Sequence, residues 1–350
     1  MNFLINMIDN LNIDDKSYNV HSIEIQKEVG CYSKLVGAGG EFTIGELDVI
    51  EVLKRYGLKE QIGEINFNSL FQKPLMIFVF ATQEDEFNGT KEFLDNRYGR
   101  KILDLNNFSQ AFSLGCWFIK DSCVESTKVY LNNTYNGYNS QCIRDAHATM
   151  GDGMIKTVDF SDTEINEAFE KMNEIYMYLL PEKSDTGIPE KTYTQGTIIW
   201  NVENAISTEG NSFSRALIFL QEARRTGKIA SKIEKYCAVL ECLFAIPDKC
   251  DKKETISNIA ANCIGSDKEE KNLIKNNIKT AYGIRSDSIH GDNLKYLKTH
   301  NNAELKELSA AVDDYVRRIF RKIMRNKKLN YNRDSKKMVY AYFQNMIESI

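Results

Sequence analysis

The sequence predicts an α+β protein in which a mixed α/β domain is followed by an all-α helical bundle. Short apolar runs punctuated by Gly and Asn, typical of strands and turns, dominate residues 1–160. From residue 211 onward, apolar residues recur at helical spacing, and the helical segments stop near Gly or Pro. A length of 350 residues suggests about two domains.

Three segments of the first domain carry strand signals. Phe42–Tyr56 reads as a strand that runs into a helix. Leu75–Ala81 is a β-rich apolar run that follows a proline, as expected of a buried strand. Val129–Leu131 predicts a strand that ends at an Asn-Gly turn.

A helix and a linker complete this domain, which we expect to span residues 1–205. Ser161 and Glu164 form a capping box at the start of a helix over residues 161–180. Pro181 ends that helix. Residues 181–196 contain two prolines and two glycines, so we expect a linker or long loop there.

The rest of the sequence predicts a bundle over residues 211–326 and a basic tail or helix over residues 327–350. Amphipathic spacing and stop signals define the helices. The predicted helices are Ser212–Arg225, Ile229–Ile246, Lys252–Ile264, Asp267–Ile289, Asn302–Asn326 and Asp334–Ile350.

Charge is divided unevenly along the chain. The net charge is −4, but residues 211–350 carry +10 and residues 1–210 carry −14. Such a division suggests different roles for the two halves, with the basic half able to meet a polyanion. Part of the excess lies in Arg317–Lys337, which fits a solvated helix face and tail as well as it fits a nucleic-acid footprint. The RNA-binding candidates are Arg321, Lys322, Arg325, Lys327 and Lys328.

Several classes of protein are excluded. No apolar run approaches the roughly 20 residues of a membrane helix, and the N-terminus does not resemble a signal peptide, so we expect a cytoplasmic protein. The eight cysteines form no CxxC pair and lie near no histidine at zinc spacing, which argues against a metal site. The Gly-rich segment Val36–Gly40 matches neither a P-loop nor a dinucleotide fingerprint. We therefore expect no cofactor.

The strongest chemical signal is an Arg-x4-His motif, formed by Arg285 and His290, at the end of a predicted helix in the basic half. Histidine can exchange protons near neutral pH, and the arginine fork suits a phosphate. Together they suffice for RNA cleavage without a metal. The base takes the proton of a 2′-OH, and the arginine stabilises the charge that develops at phosphorus.

Helix geometry complicates this hypothesis. Five residues place the two side chains about 140° apart on an ideal helix. Either the last turn relaxes, or the site draws on two chains. The alternative without catalysis is a helix-capping histidine and a surface arginine.

The segment Phe213–Met324 resembles the HEPN superfamily (higher eukaryotes and prokaryotes nucleotide-binding domains), and most of all its Apea-like family. SRALIFLQEARR is similar to the first HEPN helix, and KIEKYCAVLECLFAI is similar to the second. AYGIRSDSIHG is similar to the family's helix end with Arg, four to six residues and His.

This resemblance implies a helical bundle that forms a homodimer with one composite, metal-independent endoribonuclease site. Arg285 would be the phosphate clamp and His290 the base. Glu241 matches the acid of the second helix and would orient Arg285, although a helix-packing ion pair explains it equally well. Ser286 stands where the family often has Asn.

Two functions therefore stand. The first is an endoribonuclease of prokaryotic antiphage defence or abortive infection, with toxin-like activity, whose acidic N-terminal half answers to a phage or host protein trigger. The second is a non-catalytic HEPN module that binds RNA, a nucleotide or a protein partner. Because inactive members of the superfamily often lose one of the two residues, the presence of both Arg285 and His290 favours the nuclease.

Overall fold

The computed structural model describes residues 1–20, 31–143, 147–179, 190–194, 197–201, 211–326, 328–331 and 334–348. It confirms the α+β class, with a sheet in the N-terminal part and helices in the C-terminal part. The chain forms two compact units. The first comprises residues 1–119, 123–146 and 157–205, and the second comprises residues 120–122, 147–156 and 206–350. The units therefore interleave along the chain, unlike the contiguous domains 1–205 and 211–326 that the sequence predicts.

The first unit is built on an eight-stranded sheet with the order β11-β12-β9-β8-β1-β7-β4-β3. The strands of the described residues are β1 (Asn2–Asp9), β2 (Leu11–Asn12), β3 (Ser17–Asn19), β4 (Tyr32–Val36), β5 (Thr43–Ile44), β6 (Leu47–Asp48), β7 (Leu75–Phe80), β8 (Glu125–Asn133), β9 (Asn139–Ile143), β10 (Val158–Asp159), β11 (Glu190–Thr194) and β12 (Thr197–Asn201). The neighbours pair antiparallel except β12 and β9, which are parallel. Strand β1 lies between β7 and β8 and is buried on both faces.

Helices cover both faces of this sheet. They are α1 (Val49–Arg55), α2 (Leu58–Ile62), α3 (Glu64–Leu70), α4 (Glu84–Phe87), α5 (Lys91–Ile119) and α6 (Asp162–Leu179). Phe3 and Ile5 of β1 pack into one apolar core with α1–α3. On the opposite side, Phe108 of α5 meets Phe78 of β7 edge to face, with ring centroids 5.8 Å apart. Helix α6 packs on α5 so closely that a Cβ on Gly115 would lie 2.3 Å from a backbone carbonyl of α6.

Most predicted elements of this unit are confirmed. Strand β7 matches the apolar run at Leu75–Ala81, and α6 starts at the predicted capping box, in which Ser161 and Glu164 bond to each other's backbone N–H. Helix α5 was not predicted. The predicted linker is wrong over Glu190–Thr194, which forms β11 in the sheet. Its other residues, 181–189 and 195–196, lie outside the described residues.

The second unit is a helical bundle. Its helices are α7 (Ser212–Arg224), α8 (Ile229–Leu243), α9 (Lys252–Ile264), α10 (Lys268–Ile289), α11 (Asn302–Met324) and α12 (Lys336–Glu348), with a short 3-10 helix at Lys295–Lys298. The predicted helices match these bounds within a few residues. Four of them begin at a side-chain N-cap, because an Asn or Asp accepts hydrogen bonds from the first free N–H groups. The caps are Asn211, Asp251, Asp267 and Asn301. Helix α12 packs on α9 and buries Val339 and Phe343.

Two short segments from the N-terminal half of the chain complete this bundle. They are residues 120–122 and 147–156. The backbone N–H of Gly151 donates to the Asp121 carboxylate at 3.0 Å, and its carbonyl accepts from Ser309 of α11 at 2.6 Å. A Cβ on Gly151 would lie 3.0 Å from the α11 backbone, so the close approach requires glycine.

The bundle core also contains charged groups. Asp313 of α11 is 1% exposed and accepts from Tyr236 of α8 at 2.5 Å and from Arg317 at 2.9 Å. Lys232 is fully buried and donates to a carbonyl at the end of α7 at 2.7 Å. Burial lowers the pKa of Lys232 to about 8. This network links α7, α8 and α11 and is satisfied by hydrogen bonds, as buried charges must be.

Among the described residues, every helix is too short or too polar to span a membrane.

Candidate functional site at the end of helix α10

The Arg-x4-His segment lies in the last two turns of α10, which ends in a well-defined cap. Gly291 follows His290 with a φ of +72°. The Gly291 N–H donates to the carbonyl of Ser288 at 3.2 Å, and the Asp292 N–H donates to that of Asp287 at 2.9 Å. These two bonds make a Schellman motif, which explains why the helix stops at His290.

Helix α10 keeps its geometry through His290. The His290 N–H donates to the Ser286 carbonyl at 3.2 Å, an ordinary helical bond, and its backbone angles are helical. Arg285 and His290 therefore stay about 140° apart around the axis. The last turn does not relax in the way that would bring the two side chains together.

Arg285 is held by the neighbouring helix α8. Its Nη2 lies 3.3 Å from Oε1 of Glu241, and its guanidinium lies over the ring of Tyr282, 5.8 Å from the centroid. The Tyr282 hydroxyl donates to the same carboxylate oxygen at 3.2 Å. Burial raises the pKa of Tyr282, so the hydroxyl remains a donor. Both interpretations of Glu241, an acid that orients Arg285 and a helix-packing ion pair, include this contact.

Glu241 also holds a second cation. Lys252, the first residue of α9, donates to its Oε2 at 2.9 Å, and this bond raises the pKa of Lys252. One carboxylate is therefore shared by two cations, and the Lys252 ammonium also lies 3.7 Å from the exposed carboxylate of Asp248, so these four groups together carry no net charge. Arg285 is about a third exposed, so its guanidinium remains open to an anion.

His290 and Ser286 are both exposed at this end of the bundle. In the described part of the chain, neither contacts the Arg285 guanidinium. Ile289, next to His290, is 52% exposed. The end of α10 therefore presents a histidine, a hydroxyl and an apolar group to solvent.

Asp287 fixes the loop that follows α10. Its carboxylate is nearly buried and accepts from the backbone N–H of Lys295 at 2.8 Å and from the Lys295 ammonium at 3.0 Å. These bonds lower the pKa of Asp287. The loop carries Tyr296, whose ring stacks on His300 with centroids 4.1 Å apart.

A groove of about 460 Å3 runs along α10 beside this end of the helix. We call it the α10 groove. Ser286 and Asp287 line it, together with Lys253, Lys279 and Lys295. Of the three lysines, Lys279 pairs with Glu254 and Lys295 pairs with Asp287, which leaves Lys253 as the lining cation that has no carboxylate partner among the described residues.

Sequence reasoning missed three residues of this site, namely Tyr282, Lys252 and Asp287. Tyr282 lies three residues before Arg285, so helical spacing could have found it. Lys252 reaches Glu241 only through the packing of α9 on α8. Asp287 lies inside the quoted segment, but its burial depends on the loop that folds over it.

The RNA-binding candidates lie elsewhere in the second unit. Arg321, Lys322, Arg325 and Lys328 line a separate groove of about 650 Å3 at the end of α11. Lys327 lies outside the described residues. The structure therefore brings four of the five together and places them apart from the α10 groove.

Among the described residues, no three His, Cys, Asp or Glu side chains lie close enough together to hold a metal ion. The eight cysteines are all free thiols.

Comparison with known proteins finds no family model that matches the chain, no similar curated protein and no solved structure that matches it.

Proposed function

We propose that the second unit is a HEPN-like, metal-independent endoribonuclease that acts in the cytoplasm as a prokaryotic antiphage or abortive-infection effector. The observation that carries this proposal is the Arg285 guanidinium, held by Glu241 and Tyr282 yet partly exposed, on the helix that ends at the exposed His290. A held cation and a free base are the two groups that RNA cleavage through the 2′-OH needs.

The reaction divides between these two residues. His290 takes the proton from a ribose 2′-OH, and the 2′-oxygen attacks the adjacent phosphorus. Arg285 binds the phosphate oxygens and stabilises their developing charge. The bond from phosphorus to the 5′-oxygen breaks, and that oxygen takes up a proton from the imidazolium or from water. The products are a 2′,3′-cyclic phosphate and a 5′-OH.

The geometry of α10 requires a second chain in this proposal. Arg285 and His290 face different directions on one helix, so the working pair combines Arg285 of one copy with His290 of another. A twofold axis near the end of α10 creates two such pairings at once. The exposed Ile289 supports a contact there, because dimerisation would remove its apolar surface from water.

Cleavage of total RNA and tRNA in EDTA tests the activity. The full chain is required, since residues 120–122 and 147–156 belong to the second unit. We expect wild type to leave cyclic-phosphate ends. Arg285→Ala and His290→Ala should each lower the rate at least 100-fold. Arg285→Lys should recover little, because an ammonium lacks the bidentate fork. The exposed His147 provides the matched control, and His147→Ala should cleave normally.

Mixing the two inactive variants tests the composite site. In a mixed dimer, one pairing lacks both groups and the other is intact. Random exchange should therefore restore about a quarter of wild-type activity. A site within one chain would restore none.

Outcomes also separate the nuclease from a binding module. Arrest of cell growth on expression of wild type but not of His290→Ala supports the effector. A folded, dimeric wild type that binds RNA, yet neither cleaves it nor arrests growth, would favour the non-catalytic module. The unpaired arrangement of Arg285 and His290 within one chain is the observation that keeps this second function in view.

A further inference from the structure

The groove of about 650 Å3 lies where the ends of α9 and α11 meet α12. We name it the α11 groove. We propose that it binds single-stranded RNA, with phosphates on Arg325 and Lys328 and a base stacked on Tyr342. This inference rests on the proposed ribonuclease function and names a place that holds the strand away from the cleavage centre.

Positive charge dominates this groove. Five cations line it, and its other lining residues are uncharged; the cations are Arg318, Arg321, Lys322, Arg325 and Lys328. Four of them follow one face of α11 at spacings of three and four residues, so they are neighbours in space. Clustered like charges repel one another, and an anionic ligand relieves that repulsion.

Two of the cations have a structural task. Arg318 donates to the Ile264 carbonyl at 2.6 Å and to Glu270 at 2.8 Å, and Lys322 donates to the Cys263 carbonyl. These are carbonyls of the last turn of α9, which lack partners within the helix. Arg318 and Lys322 therefore cap α9 and fix the floor of the groove.

Arg325 and Lys328 form the outer edge of the groove and are exposed. Within the described residues, neither side chain pairs with a carboxylate. They differ in this respect from Arg318, which Glu270 partly neutralises. Arg325 and Lys328 are thus the cations most available to a phosphate.

Tyr342 of α12 adds an aromatic surface. It lines the groove, and its hydroxyl accepts a hydrogen bond from the Asn326 amide, which fixes the ring. Cationic grooves that carry aromatic rings hold single strands, because bases stack on the rings while phosphates meet the cations. An inorganic anion or an acidic peptide would contact the cations but would not stack on the ring of Tyr342.

The spacing of the two grooves also suits a strand. Lys253 at the start of α9 lines the α10 groove, and Cys263 near its end lines the α11 groove. Ten residues of α-helix separate them by about 15 Å. A few nucleotides of an extended strand span that distance, so one RNA can occupy the α11 groove while another part of it lies in the α10 groove.

Binding is tested in a full chain that carries His290→Ala, so that the probe stays uncut. The probe is a fluorescent 12-nucleotide single-stranded RNA, measured by anisotropy at several salt concentrations. Arg325→Ala with Lys328→Ala should weaken binding about 10-fold and reduce the slope of log affinity against log salt by about 1.4, the value for two lost phosphate contacts. The matched control, Arg100→Ala with Lys306→Ala, removes one exposed arginine and one exposed lysine outside the groove and should change affinity less than about 2-fold.

Substitutions at Tyr342 test whether the groove prefers RNA to other polyanions. Tyr342→Leu should weaken binding at least about 5-fold, and Tyr342→Phe should bind normally because it keeps the ring. Thermal unfolding of each variant shows whether it is folded. If Tyr342→Leu loses its fold, Tyr342→Phe can still be compared with wild type. Equal binding by the Arg325 and Lys328 double variant and its control would overturn the proposal. Normal binding by Tyr342→Leu, with inorganic polyphosphate competing as well as RNA, would also overturn it in favour of a bare polyanion site.

The two proposals fail in different ways. Wild type that never cleaves RNA, yet loses binding with Arg325→Ala and Lys328→Ala, would remove the nuclease and keep the groove. Cleavage that depends on His290, with binding that ignores the groove, would do the reverse.

Discussion

The hydroxyl of Tyr236 offers a sharp test of how the second unit is held together. Tyr236 is fully buried in α8, and its hydroxyl donates to Asp313 of α11 at 2.5 Å. The other oxygen of Asp313 accepts from Arg317 at 2.9 Å. The substitution Tyr236→Phe removes one hydroxyl and keeps the ring, so the packing is preserved.

The expected loss follows from the charge of the acceptor. A hydrogen bond to a charged group contributes about 1.5–3 kcal/mol, and removing its donor leaves a buried carboxylate oxygen undersatisfied. Burial raises the pKa of Tyr236, so the phenol is neutral and acts as the donor. We expect Tyr236→Phe to lower the free energy of unfolding of the second unit by about 2 kcal/mol. That is a large fraction of the 5–15 kcal/mol typical of a domain.

The distribution of tryptophan supplies the assay. Both tryptophans, Trp117 and Trp200, belong to the first unit. In urea, tryptophan fluorescence therefore follows the first unit, whereas far-UV circular dichroism follows the helices of both. Tyr236→Phe should shift the dichroism transition and leave the fluorescence transition in place.

The control is Tyr315→Phe, which breaks a neutral hydrogen bond of 2.9 Å from the Asn277 amide. It should cost about 0.5–1.5 kcal/mol. In a background that carries Asp313→Asn, the effect of Tyr236→Phe should fall to the roughly 0.5–1.5 kcal/mol of a neutral hydrogen bond, because the acceptor is then an uncharged amide oxygen. A loss no greater than that of Tyr315→Phe, or one unchanged in the Asp313→Asn background, would refute the reasoning.

Two further predictions concern the same unit. Gly283 lies inside α10, and a Cβ added there would meet no atom within 4 Å. Gly283→Ala should therefore raise the free energy of unfolding of the second unit by about 0.5–1 kcal/mol, measured in urea. The same methyl group narrows the α10 groove and should slow RNA cleavage several-fold. Burial, followed by the charge of Asp313, raises the pKa of Asp121 from 3.8 to about 6. The stability that protonated Asp121 contributes is complete below pH 4 and is lost as pH rises through 6, by about 3 kcal/mol at most and less where solvent screens it. Asp121→Asn should flatten this part of the curve of unfolding free energy against pH, and an unchanged slope would contradict the assignment.

The helices of the second unit could be predicted because their signals are local. An Asn or Asp cap precedes four of them, and Gly265 or Gly291 follows two. Such residues satisfy the free backbone groups at helix ends whatever the rest of the fold does. The start of α6 at Ser161 was predictable for the same reason.

Helix α5 escaped prediction because its burial pattern lacks one apolar stripe. It is covered by the sheet on one side and by α6 on another, so nearly every residue of its second half is buried. Several of the buried residues are polar, such as Asn106, Asn107 and Gln110. Sequence periodicity detects a helix with one apolar face, and a helix buried all round with polar residues inside it has none.

The interleaving of the two units was also beyond sequence reasoning. Residues 147–156 follow the strands of the first unit in sequence, yet Gly151 packs against α11 of the second. The signal is a long-range contact rather than a local pattern. A fragment that starts at residue 205 would lack this segment and leave Ser309 without its partner carbonyl.

The candidate site combines both kinds of information. Arg285 and His290 could be selected only from their spacing together with the resemblance of their segment to the HEPN helix end, because a helix-capping histidine and a surface arginine would show the same spacing. The structure adds that α10 is helical through His290 and that Glu241 serves two cations. The first fact separates Arg285 from His290 within one chain, and the second fixes the Arg285 guanidinium while leaving its side chain about a third exposed. Under the proposed function, Arg285 of a single copy therefore binds a phosphate, whereas cleavage of the RNA by His290 requires a second copy. Binding by the monomer and cleavage by the dimer are the expected consequence, so the rate of cleavage per chain should rise with protein concentration while the affinity of Arg285 for phosphate should not.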